Sequence, residues 1–202
     1  MIILYGSPLS GNTHKVRMAL AFLGLPRDER LTDAAARQSG AFAALTPMRQ
    51  IPLFVDDGFA LRDSQAILAL LAARHRPGEW DGHTPEERGA IMLWLSHAAN
   101  EIANGPATLR LARKFGLAIP EDHAAAVTAR ILPVVEAHLE RRDWLAGDRL
   151  TIADLAASPY LALIGDAGID LAGWPAIHAW TRRIAALPAF PEMPGWPAEG
   201  VI

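Results

Sequence analysis

The stretch Arg76-Pro77-Gly78-Glu79-Trp80-Asp81-Gly82-His83 divides the chain into two parts of different periodicity. Proline, two glycines and charges between periodic segments mark a linker. Upstream, short apolar runs alternate with helical spacing. Downstream, every periodic segment reads as helix. The expected organisation is therefore an α/β unit over residues 1–76, a linker over 77–83, and an all-helical unit over 84–202. The 202 residues suffice for two small domains.

Ile2 to Tyr5 is a short apolar run closed by Gly6-Ser7-Pro8, which suits a buried strand and a loop. Val16, Leu20 and Leu23 then recur at helical spacing until Gly24 and Pro26. Asp28 to Leu31 reads as a polar strand, and Ala34 to Phe42 has little pattern. Pro52-Leu53-Phe54-Val55 is strand-like. Asp56-Asp57-Gly58 signals a hairpin turn, Phe59-Ala60-Leu61 a returning strand, and Asp63-Ser64 opens an apolar helical run.

Past the linker, Thr84-Pro85-Glu86-Glu87 has a capping threonine, proline at the first helical position and glutamate two residues later, a capping-box pattern. The helix it starts extends to about Phe115, and Pro106 should kink or break it. Further helices are expected over Glu121–Arg142, from a second capping box at Thr151-Ile152-Ala153-Asp154, and from Pro175 to Leu187. Pro188 to Ile202 holds four prolines and should be irregular.

Several function classes drop out. The net charge of −3 gives no basic excess for a phosphate backbone, so nucleic acid is not an expected partner. No cysteine is present, which removes disulfides, thiolate metal sites and a protein-borne redox thiol. Any thiol chemistry must use a thiol that arrives on a ligand. The histidines show no helical ligand spacing, so no metal site is expected. No run approaches the roughly 18 apolar residues of a spanning helix. A soluble protein of the cytoplasm, with no membrane partner, is the expectation.

What remains is a constellation in the first 65 residues. Ser10-Gly11-Asn12-Thr13 sits between the first strand and the first helix, and Gln50-Ile51-Pro52 precedes a strand. Asp63-Ser64 caps the next helix. Each suits plain capping or a turn. Together, three such features on a small α/β unit also make an anion site, because helix N-termini offer free N–H groups and positive dipole ends.

At these residues the chain resembles the cytosolic glutathione transferase family. Tyr5 to Arg17 is similar to the family's first loop and helix. Gln50-Ile51-Pro52 with Asp63-Ser64-Gln65-Ala66-Ile67 is similar to its glutathione signature. Trp144-Leu145-Ala146-Gly147-Asp148, Thr151-Ile152-Ala153-Asp154 and Trp174-Pro175 onward are similar to its C-terminal signature. The likeness covers almost the whole chain, and its pieces stand in the family's order.

The resemblance implies a thioredoxin-like N-terminal domain followed by an all-helical C-terminal domain, a homodimer, and glutathione as co-substrate with no further cofactor. Pro52 then corresponds to the family's cis-proline, presenting the main chain of Ile51, beside Gln50, to glutathione like an added strand. Ser64 holds the γ-glutamyl carboxylate, and Asp63 the ammonium. Gln38 falls near the glycyl carboxylate. Ser10 stands at the serine-type activating position. Asn12 is the alternative, with Thr13, Ser7 and Tyr5 behind it. Leu9 and Gly11 are the loop candidates for an apolar pocket that takes a small hydrophobic electrophile, with Asn100 to Thr108 as its far wall. Arg49 replaces a glycine of the family's pattern, which predicts a turn that needs no positive φ.

Conjugation of the glutathione thiolate to such electrophiles is the leading functional expectation. Peroxide or disulfide reduction by glutathione is the alternative. A non-catalytic glutathione- or ligand-binding module is the third.

Overall fold

The computed structural model describes residues 1–197; residues 198–202, the end of the expected irregular tail, lie outside the described residues. The first unit is a four-stranded mixed sheet of order β2-β1-β3-β4. Strand β1 (Ile2–Gly6) pairs in parallel with β2 (Arg27–Leu31) across the helix α1 (Gly11–Phe22). It pairs antiparallel with β3 (Leu53–Asp56), which turns back into β4 (Phe59–Arg62). The hairpin turns at Asp57 and Gly58, both at positive φ, as the Asp-Gly pair predicts. In the register, Leu4 lies opposite Phe54, and both are buried.

Between β2 and β3 the chain forms two short helices, α2 (Ala34–Gln38) and α3 (Gly40–Leu45). Their sequence is mostly alanine and carries no stripe of large apolar residues to announce them: only Phe42 is buried. Side-chain caps from Asp33 and Ser39 hold them instead. Helix α4 (Ser64–His75) completes the unit and packs beside α1.

The linker stretch forms turns, and it is held at several points. Trp80 is buried, its carbonyl accepts the Ile152 N–H at 3.2 Å, and Arg149 donates to the carbonyls of Glu79 and Gly78.

The second unit is helical. Helix α5 (Pro85–Ala99) is capped by Thr84, whose Oγ1 accepts the Glu87 N–H. The Glu87 carboxylate reaches one residue further back than the capping-box pattern predicts, to the His83 N–H at 2.8 Å. The single long helix expected from Thr84 to Phe115 is three pieces. Ala103–Ala107 widens into a π-helical turn before α6 (Thr108–Phe115). Pro106 brings no N–H and crowds the carbonyl four residues back, and the wider turn accommodates both. Gly105 serves the same turn, since a Cβ there would come within 2.9 Å of the Thr128 hydroxyl.

Helices α7 (Glu121–Leu139), α8 (Ile152–Ala162) and α9 (Pro175–Ala185) follow, with 3₁₀ turns at Ile164–Ala167 and Leu171–Gly173. The α8 capping box forms as expected. Residues 186–197 form no further helix or strand, yet Met193 and Trp196 are buried. One continuous apolar core runs through both units. It joins Val16 and Leu20 of α1 and Leu68 of α4 to Trp94 of α5, Leu155 of α8 and Trp180 of α9. Among the described residues, no helix is long and apolar enough to cross a membrane.

Candidate functional site

The first part of the site is built by a cap. Ser10 has extended backbone (φ −86°, ψ 116°), and its Oγ accepts the Thr13 N–H at 3.2 Å. A hydroxyl used as acceptor keeps its proton for another partner. Ser10 N in turn donates to the Ser7 carbonyl at 3.1 Å, closing the loop into a turn.

The second helix start lies next to it. Asp63 holds φ 73°, a strained backbone for a residue with a side chain. Its Oδ1 accepts from both Gln65 N and Ala66 N, so Oδ2 is left for another donor. The buried Ser64 hydroxyl lies 2.8 Å from Gln65 Oε1 and 3.4 Å from Asn12 Oδ1. One proton serves the shorter bond, and the Asn12 amide remains nearly unengaged. The Ile51–Pro52 peptide is cis.

These residues line one cleft of about 740 Å³. Its polar side is made by Ser7, Ser10, Asn12, Gln50, Ile51, Pro52, Asp63 and Ser64, with Thr32, Asp33, Ala34 and Arg37 beside them. Its apolar side is made by Leu9, Leu111, Phe115, Leu117 and Tyr160, with Arg110 among them. Ser10 sits on the loop between the two sides. Burial pushes the Tyr160 phenol up, against the Asn12 backbone N–H and the Arg110 charge, which pull it down. Behind the cleft, Lys15 is fully buried, with Nζ 5.3 Å from the Tyr160 ring centroid. Burial lowers its ammonium to about 7, against the opposing pull of the Asp63 carboxylate.

Several sequence expectations are corrected. Gln38 does not line the cleft; Arg37 does, and Gln38 accepts from Arg49 Nη1 at 2.6 Å. One residue along a helix is a rotation of about 100°, which turns Gln38 from the cleft. Gly11 is buried behind the cleft instead of lining it. A Cβ there would meet the Tyr160 ring at 2.8 Å, so its role is to let α1 approach α8. The far wall is α6 and the residues after it, in place of Asn100 to Thr108. The π-helical turn sinks Gly105, Pro106 and Ala107 into the protein. Arg49 does hold positive φ, at 53°, closing a turn onto the Thr46 carbonyl. Among the lesser candidates, Tyr5 lies off the cleft, its ring against Phe42 and its hydroxyl accepting from Arg30. Thr13 is buried, and its Oγ1 accepts the Ser7 N–H.

The residues that sequence reasoning missed carry a faint signal. Helix α6 has two apolar stripes where packing needs one. Leu109 and Ala112 enter the interior, while Leu111 and Phe115, four apart, stay exposed on the cleft. Among the described residues, no three His, Asp or Glu side chains cluster so as to hold a metal ion.

Residues 4–80 match the sequence model for the glutathione S-transferase N-terminal domain, and residues 111–188 match that for the C-terminal domain. Glutathione S-transferase 3 of Zea mays is 36% identical, covering 93% of this chain and 90% of its own. Disulfide-bond oxidoreductase YfcG of Escherichia coli (strain K12) is 32% identical, covering 94% and 92%. A crystal structure of a glutathione S-transferase from Xanthobacter autotrophicus Py2 superposes with a TM-score of 0.87 at 32% identity, covering 96% and 98%.

Proposed function

Because this chain belongs to the glutathione S-transferase family, we propose that it transfers the glutathione thiolate to small hydrophobic electrophiles in the cytoplasm. The observation that carries this reading is the placement of Ser10. Its hydroxyl accepts from the helix and keeps a proton, on the loop where the polar and apolar sides of one cleft meet.

In this reading the hydroxyl and backbone N–H of Ser64, at the positive end of α4, take the γ-glutamyl carboxylate. Asp63 Oδ2 takes the ammonium. The Gln50–Ile51 main chain beside Pro52 holds the cysteinyl backbone, and Arg37 takes the glycyl carboxylate in place of Gln38. The electrophile lies against Leu9, Leu111, Phe115 and Tyr160.

Ser10 then donates its proton to the sulfur. A thiol of pKa about 8.5 is roughly 3% ionised at pH 7, and lowering it by about two units gives about 25-fold more thiolate. Nucleophilicity falls about 8-fold over the same change, leaving a net gain of about 3-fold. Proximity contributes more, because holding thiolate and electrophile together is worth several kcal/mol.

The test begins with calorimetric titration of glutathione into the protein and into Ser64→Ala. Binding weakened about tenfold or more by the variant is expected, since a buried acceptor loses its donor. Ser10→Ala should lower turnover of an aryl halide with little change in glutathione affinity. Full turnover without the hydroxyl would remove Ser10 from the mechanism and leave Asn12. A wild type that binds no glutathione would sink the reading.

A second reading is reduction of a disulfide by glutathione. The likeness to YfcG, which is described as a disulfide-bond oxidoreductase, favours it. The chain has no cysteine, so two glutathiones would supply both reducing sulfurs. A coupled disulfide assay beside the conjugation assay ranks the two. Turnover of neither, with binding intact, would favour a binding module. We also assign the exposed Phe59 on β4 and Met92 and Leu93 on α5 to a homodimer contact.

A further inference from the structure

Arg110 comes from the helical unit, yet it grips the loop of the first. It is only 3% exposed. Its Nε donates to Asp166 Oδ2 at 2.8 Å, and its Nη1 donates to the Leu9 carbonyl at 2.9 Å. That carbonyl belongs to the peptide whose nitrogen is Ser10 N. The Ser10 turn is therefore fastened twice, by its own bond to the Ser7 carbonyl and by a guanidinium from the other unit.

The charge is not balanced for stability. Asp166 also takes Lys114 Nζ at 2.7 Å, so one carboxylate faces two cations and the cluster keeps a net charge of about +1. Arg110 Nη2 is buried and meets no acceptor among the described residues. Its Cζ lies 5.0 Å from the centroid of the Phe115 ring, on the apolar side of the cleft. An apolar side chain would fill such a place at lower cost than a buried, half-satisfied cation. A cation kept beside the place where a thiolate forms acts on that thiolate. Its reach is visible at Tyr160 across the same wall, where the Arg110 charge works against burial.

We propose that Arg110 is a positioning residue for thiol activation, fixing the Ser10 loop through the Leu9 carbonyl and favouring the glutathione thiolate by its charge. This rests on the reading of the cleft as a glutathione site. Asp166 orients the guanidinium and at the same time damps its charge.

The experiment compares Arg110→Gln, Arg110→Lys and Asp166→Asn in the full chain. It measures glutathione affinity by calorimetry, the bound thiol's pKa by ultraviolet thiolate absorbance against pH, and kcat and KM with an aryl halide. Arg110→Gln should raise the bound thiol's pKa by about one unit. It should lower kcat at neutral pH by about tenfold or more and leave glutathione affinity within about 3-fold. Arg110→Lys should restore most of the pKa but not kcat, because an ammonium lacks the fork that reaches Asp166 and Leu9 together. Asp166→Asn should also lower kcat, because the guanidinium loses its orienting partner, and should lower the thiol pKa, because the Arg110 charge is no longer damped.

A thiol pKa that rises in Arg110→Gln and falls in Asp166→Asn separates this role from simple bracing, which gives no fall in Asp166→Asn. Unchanged pKa and kcat in Arg110→Gln would overturn the proposal and leave the glutathione reading standing. If Arg110→Gln does not fold, Asp166→Asn and Arg110→Lys decide, and wild-type kcat in both overturns it. A wild type that binds no glutathione overturns both readings.

Discussion

Lys15 is one turn along α1 from Gly11 and has no carboxylate within salt-bridge distance among the described residues, while Asp63 acts on it only at longer range. In the unfolded chain its ammonium has the ordinary pKa of 10.5; in the native protein it falls to about 7. Below about pH 7 both states hold the proton, and the native state bears the full cost of burying it. Between about 7 and 10.5 the unfolded chain holds more protons, so stability rises with pH by up to about 1.4 kcal/mol per unit. Lys15→Met should be more stable than the wild type near neutrality and should flatten that slope. Thermal melts across this range check it, and parallel slopes in the two proteins would refute it. Single residues were only partly legible in sequence. Ser10, Asn12, Asp63 and Ser64 sit at helix starts, where capping chemistry leaves a local signature. Arg37 and Gln38 differ by one position on a short, alanine-rich helix, and no stripe of large apolar residues says which faces inward. Arg49 shows that a substituted glycine does not always release its turn: the positive φ stays, although an L side chain disfavours it.

At the scale of elements, periodicity and caps located most of the helices and strands. It failed where a helix has no apolar stripe to mark it or is shaped by a contact distant in sequence. The π-helical turn depends on Pro106 and on the approach of Gly105 to Thr128, and α2 and α3 depend on side-chain caps. The start of α8 is the opposite case, since its box is readable as four consecutive residues. In the structure that box does more than cap. The fully buried Asp154 accepts from Leu145 N and Trp180 Nε1 on one oxygen and from the Thr151 N–H and hydroxyl on the other. Burial pushes its carboxyl up to about 6, against all four donors. Asp154→Ala leaves those donors unpaired inside the protein, so a loss of about 3–5 kcal/mol is expected. Thr151→Ala removes a cap and should cost about 1–2 kcal/mol. Urea unfolding of the two variants checks the order, and equal losses would show that Asp154 is no more than a cap.

For the whole molecule, two groups among the exposed apolar residues bear on assembly. Phe59 lies on β4, an edge of the sheet, with Arg74 stacked on its ring, and Met92 and Leu93 share α5. Light scattering at working concentration should return twice the mass of 21.8 kDa. Met92→Glu with Leu93→Glu should return the single mass, because like charges then face across the contact. A wild-type monomer would remove the assignment. The two-unit plan itself was visible from the break at Arg76 to His83. The sequence did not reveal how closely the units are joined, because the seam is built from α1, α4, α5 and α8, whose apolar faces look alike in sequence.

That shared core limits how such a chain can be recombined. A crossover placed in the linker looks like the natural cut, but it parts Val16 and Leu20 from Leu155 and Trp94, residues that fill one interior together. A chimera made there from two relatives inherits two half-interiors shaped for absent neighbours. Its losses would arise at the seam even with every residue of the cleft retained. The unit of inheritance here is the pair, and variation in one half is constrained by the other.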